Sequence, residues 1–107
     1  MWAFFNNTCI ENIIIQSNFT DKSLILDRSV TGLSNYSEFF NTIKKWLELN
    51  VVHQPLKDEN IKIFDIVTEN QINCYQDLVK YSMQNRPDKT GKNKLYYLKT
   101  VIIAENI

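Results

Sequence analysis

The sequence predicts an α+β domain: an antiparallel or mixed sheet of four to five strands covered by two helices, in the order β-β-α-β-α-β. Three observations predict it. Apolar runs of strand length stand at 9–17, 23–30, 61–68 and 94–104. Two other stretches, 35–50 and 74–84, repeat large apolar residues at steps of three and four, the period of a helix. The helical stretches fall between strands, which makes them layers on a sheet rather than a separate bundle. With 107 residues, the chain reads as one domain, 1–107, long enough to bury a core without metals or disulfides.

Residues 2–5 (WAFF) read as a short strand or a frayed arm, broken by Asn6, Asn7 and Thr8. Residues 9–17 carry Ile13, Ile14 and Ile15, a β-branched run. A turn at 18–22 (NFTDK) joins it to the strand 23–30, so the pair reads as a hairpin with a loop of about five residues. The helix 35–50 (NYSEFFNTIKKWLELN) is the clearest element. Tyr36, Phe39, Phe40, Ile43, Trp46 and Leu47 make one apolar stripe, and Asn35 with Glu38 has the form of a capping box. Asn50, before Val51 and Val52, reads as its stop. Residues 53–60 form a wet loop restricted by Pro55, 61–68 the third strand, and 69–73 a polar connection. The second helix, 74–84, turns Leu78 and Tyr81 inward together with Met83 or Tyr75, and Asn73 can cap it. Arg86-Pro87 ends it, because the residue before proline avoids helical angles. A turn at 88–92 leads into the closing strand 94–104.

The chain carries 12 Lys and Arg against 12 Asp and Glu. A neutral total argues against a dedicated duplex-DNA binder, because phosphate neutralisation supplies most of that affinity. The charge is uneven, however: Lys80, Arg86, Lys89, Lys92, Lys94 and Lys99 face only Asp88 over one stretch. No apolar run approaches the ~20 residues of a membrane span. The opening MWAFF lacks the basic and apolar regions of a secretory leader. Cys9 and Cys74 therefore read as reduced, partly buried thiols of a cytosolic chain.

Catalytic and metal-binding groups are sparse. His53 is the only histidine, and no neighbour in sequence stands at ligand spacing, so it reads as an exposed loop residue. The cysteines lack an evident activating base. Thr90-Gly91-Lys92 lacks the upstream glycine of a phosphate loop and is followed by Asn93 rather than Ser or Thr. Asp65 and Lys99 both sit mid-strand among alternating apolar residues. If their strands are neighbours the two charges can meet; alternatively Phe64 and Ile66, with Leu98 and Ile102, form the core faces and both charges meet solvent. Nothing here calls for a cofactor, and the expectation is a protein that is not an enzyme.

Two charged surfaces remain. Asp58, Glu59, Glu69 and Asp77 bracket the third strand and the helix after it; gathered on one side they would face a basic protein partner, and otherwise they form a solvated rim. Arg86, Lys89, Lys92 and Lys94 with Tyr96 combine cations and rings, the mix used for single-stranded nucleic acid. Tyrosines beside lysines are also ordinary cross-strand pairs. A third reading is a structural subunit that self-associates through an uncovered sheet edge.

In general character the chain resembles the small immunity proteins of bacterial toxin–immunity systems, including those of contact-dependent growth inhibition. Its size, α+β layout, missing leader, Asn- and Ile-rich composition and lack of a catalytic set carry the resemblance. The resemblance implies a cytoplasmic, non-enzymatic protein that binds a cognate toxin domain and blocks its active site. Acidic side chains would stand in for phosphates if the toxin is a nuclease. Many nuclease-blocking members are strongly acidic, and this neutral chain departs from them, which leaves the toxin's activity open.

Overall fold

Alternating burial along the strands sets the architecture. The computed structural model describes residues 4, 10–27, 35–84 and 95–103. Within these, β1 (Asn12–Ser17), β2 (Thr20–Asp27), β3 (Ile61–Asp65) and β4 (Leu95–Ile102) form a mixed sheet in the order β2-β1-β4-β3. β1 and β4 run parallel at the centre, and β2 and β3 pair antiparallel at the two edges. The inward face carries Ile13, Ile15, Leu26, Ile61, Ile63, Tyr96, Leu98 and Ile102, all buried. A period of two fixes this register, since a slip by one residue would turn every one of these side chains outward.

Helix α1 (Tyr36–Leu47) begins where the Asn35 side chain accepts a hydrogen bond from the Glu38 amide at 3.0 Å. Phe39, Ile43 and Leu47 are fully buried in the same core as the inward sheet face. Because β2 and β3 lie at opposite edges, the connection through α1 spans the sheet. The α-helical geometry ends at Leu47, and one π-helical turn, Glu48–Val52, carries the chain to His53. His53 sits in the left-handed region at φ 56°, which stops any further helical turn. The helix therefore outlasts the stop expected at Asn50, in a wider winding. Helix α2 (Tyr75–Gln84) buries Leu78 and Ser82 and leaves Met83 exposed, so Met83 is not part of its core side. The Asp77 carboxylate accepts from the Asn73 amide at 3.0 Å at the start of this helix.

The hairpin is tighter than expected. Ser17 pairs with Thr20, so the loop is the two residues Asn18 and Phe19, not five. Asn18 is held on the neighbouring strand: its Oδ1 accepts from the Ile102 amide at 3.1 Å and its own amide donates to the Thr100 carbonyl at 3.3 Å. β3 is also shorter, ending at Asp65. There the side chain takes over from the ladder, with Oδ1 accepting from the Val67 and Thr68 amides at 2.9 Å each. Such Asx-type bonds favour a turn over a continued strand.

The expectation that Phe64 and Ile66 face the core is overturned, because Asp65 shares the inward face with Ile61 and Ile63 and is only 1 % exposed. Lys99 lies on the outward face opposite Phe64, so Asp65 and Lys99 are on opposite sides of the sheet and do not pair. Of the segment 2–5, Phe4 alone is described, and it is buried in the core. The expected turn 88–92 lies outside the described residues, as do Cys9, Arg28 and Val30. No described helix is long and apolar enough to cross a membrane.

Candidate functional site

The aromatic stripe of α1 is wider than the core it covers. Phe39, Ile43 and Leu47 are enclosed, while Tyr36, Phe40 and Trp46 flank them and stay half-buried. Tyr36 and Phe40 thereby line an open groove of about 370 Å³ between α1, β3 and the segment that follows β3. Tyr36 is fixed there by its hydroxyl, which donates to the Ile72 carbonyl at 2.9 Å, and by a tilted ring contact with Phe39 at 5.6 Å. Burial pushes its hydroxyl up to about 12, and the proximity of Cys74 and Asp77 acts in the same direction.

Asp58 and Glu59 stand exposed on the same groove. They belong to a 3-10 turn, Asp58–Asn60, that is anchored from beneath by buried Asn60. The Asn60 side chain accepts from the Lys57 amide at 3.2 Å and donates to the Ile103 carbonyl at 3.3 Å, and the Ile103 amide donates to the Asn60 carbonyl at 2.8 Å. Lys44 of α1 bonds Asp58 at 2.8 Å. That hydrogen bond, followed by the charges of Asp58 and Glu48, raises the affinity of the Lys44 ammonium for its proton. Lys62 lies on the same groove, so its rim carries both signs of charge.

The four expected acidic residues are not all brought together. Asp58 and Glu59 share the groove, and Asp77 reaches its margin through the Asn73 amide. Glu69 lies elsewhere, in a depression of about 560 Å³ that it shares with Lys99, Gln16 and Phe64. The alternative basic patch is corrected at one position. Tyr96 is buried, with its hydroxyl donating to Asp65 Oδ2 at 2.7 Å, so it cannot stack on a base. Burial first, then the hydrogen bond and charge of Asp65, hold the Tyr96 hydroxyl far above the ordinary tyrosine range. Arg86, Lys89, Lys92 and Lys94 lie outside the described residues. Tyr36 and Phe40 are functional candidates that the sequence presented only as core-facing residues of an amphipathic stripe.

His53 is exposed on a third, shallow depression with Glu48, Leu49, Gln54 and Pro55. Glu48 does not serve it as an acid–base partner, because Glu48 Oε2 accepts from the Leu56 amide at 2.7 Å and holds the loop. Cys74 is a free, half-buried thiol. Among the described residues, no three His, Cys, Asp or Glu side chains gather as a metal-holding group. The self-association reading meets two obstacles. Segment 70–72 covers the outer edge of β3, where the Asp65 amide bonds the Asn70 carbonyl and the Ile72 amide bonds the Ile63 carbonyl. The other edge strand, β2, exposes Asp21 and Lys22, and charges on an edge oppose strand addition. No protein-family model, curated protein or solved structure compared with this chain matches it.

Proposed function

We propose that this chain is a non-enzymatic protein-binding domain that acts as an immunity protein: it seats the groove between α1 and β3 on a cognate toxin domain in the cytoplasm and covers the toxin's active site. One observation carries the reading. Two half-buried rings, Tyr36 and Phe40, share one groove with the exposed carboxylates Asp58 and Glu59. Aromatic anchors with a polar rim are the anatomy of a protein interface, in which a few rings supply most of the affinity. The rings are already held by the fold, Tyr36 by its bond to Ile72, so little side-chain freedom is lost on docking. Glu59, and Asp58 beside its Lys44 partner, would steer a basic surface toward the rings. Asp77 extends this rim in the proposal, and Glu69 does not belong to it.

The test is to identify the gene neighbouring this chain's and, where it encodes a toxin domain, to co-express the two; a neighbour of any other kind would count against the reading. The wild-type chain is expected to co-purify with that domain and to relieve its growth arrest. Phe40→Ala should weaken the complex by about 2 kcal/mol or more, roughly 30-fold. Glu59→Lys should mainly slow association, most visibly at low salt. Unrelieved toxicity, or Phe40→Ala and Glu59→Lys variants that bind as tightly as wild type, would overturn the reading.

A further inference from the structure

On the outward face of the sheet, opposite the helices, the β3–β4 half carries two rings and two lysines, while the β1–β2 half carries Ile14, Ile25 and Asp27. Cross-strand register places Phe64 of β3 opposite Lys99 of β4, and Lys99 beside Gln16 of β1. Tyr97, two residues before Lys99 on the same strand, is therefore the diagonal neighbour of Phe64 on that face. Tyr97 is 41 % exposed, Phe64 is half-buried, and Lys99 and Lys62 are exposed. The depression of about 560 Å³ runs between Phe64, Gln16 and Lys99.

We propose that this face binds single-stranded nucleic acid, with Tyr97 and Phe64 each stacking a base and Lys99 and Lys62 meeting the phosphates. Rings on neighbouring strands of an open sheet can take successive unstacked bases, because every base has an apolar face to offer. Gln16 adds a neutral donor and acceptor for a base edge. Charge selects this occupant over a protein or a second copy. Lysine is depleted from protein interfaces, and packing two such faces together would bury Lys62 and Lys99 in the seam. Glu69 is the opposing charge, at the lip of the same depression. The Asp65 carboxyl, though Asp65 borders it, is turned inward to Tyr96. The rings of this face, Tyr97 and Phe64, lie apart from the groove of Tyr36 and Phe40, and only Lys62 at the β3 edge borders both, so the ring substitutions test the two surfaces separately.

The experiment is fluorescence anisotropy of a labelled single-stranded RNA of mixed sequence, with its duplex as control, across a salt series. The single strand is expected to bind more tightly than the duplex. Tyr97→Leu and Phe64→Leu, which keep apolar bulk without a ring, should each weaken binding by about 5- to 100-fold. Lys99→Gln should lower the slope of log affinity against log salt by about 0.7, a change that lost folding does not mimic. Glu69→Gln should tighten binding by removing repulsion. Absence of binding at low salt, equal affinity for the duplex, or full affinity in Tyr97→Leu would overturn the proposal. Sedimentation showing a dimer that Tyr97→Leu dissociates would overturn it in favour of a second copy.

Discussion

Asp65 is the residue whose role changes most between sequence and structure. As one acid in IKIFDIVT, it reads as the solvent side of a half-wet strand. In the fold it is buried, takes the Tyr96 hydroxyl at 2.7 Å, and accepts two turn amides with its other oxygen. The first bond ties β3 to β4 from inside the core, and the other two end β3 and start its turn. A buried polar group left unmatched costs about 1–3 kcal/mol. Tyr96→Phe should therefore destabilise the protein by about that amount, read as a lower urea midpoint with an unchanged slope. Asp65→Ala removes these three bonds together and should cost more than Tyr96→Phe. Equal stability of wild type and Tyr96→Phe would show that the buried hydroxyl does not hold these strands.

At the scale of elements, α1 follows from local rules nearly throughout. Its start is chemical, since Asn35 is short enough to reach back to an otherwise unpaired amide of the first turn. Asn35→Ala should cost about 1 kcal/mol, and Phe39→Ala, which empties a fully buried ring site, about 3–5 kcal/mol. Denaturant unfolding of the two variants separates these roles, because a cap of packing importance would bring their losses together. The end of α1 is less local. Its π-helical turn and the left-handed His53 accommodate a loop that Glu48 holds through Leu56. Strand ends likewise departed from expectation where a side chain competed for backbone partners: Asp65 shortened β3, and Asn18 tightened the hairpin by bonding β4.

For the whole molecule, the hydroxyls of half-buried Tyr36 and buried Tyr96 make stability depend on alkaline pH. Tyr36 and Tyr96 both titrate above the ordinary value of 10.0 in the folded chain, Tyr36 at about 12. The folded state thus favours their protonated forms. The stability they contribute is complete below the unfolded value near 10.0 and falls as pH rises above it; the share of Tyr36 is lost through about 12, and that of Tyr96 goes on falling at higher pH. Urea midpoints should be level up to the lower value and fall above it. Tyr36→Phe should make the fall shallower, and a decline that begins well below 10.0 would point to other groups. The mixed sheet also has two unlike faces, one sealed under helices and one open. The rings of the two candidate surfaces lie on different parts of the molecule, and the surfaces meet at Lys62 on the β3 edge.

Periodicity and propensity are local, and they were enough for the α+β class, the order of elements, the cap at Asn35 and the inward stripe of α1. Exposure of His53 was legible for the same reason, since a polar loop beside Pro55 has no apolar pattern to bury. Strand order, the parallel pairing of β1 with β4, and the identity of the inward face of β3 depend on contacts between residues distant in sequence. So do the groove that Tyr36 and Phe40 share with Asp58 and Glu59, and the exchange of roles between Tyr96, buried on Asp65, and Tyr97, open on the outer face. Adjacent tyrosines have the same local chemistry. Only the register of the sheet, set by burying Leu98 and Ile102 together with Ile61 and Ile63, decides which of them meets the core and which meets water.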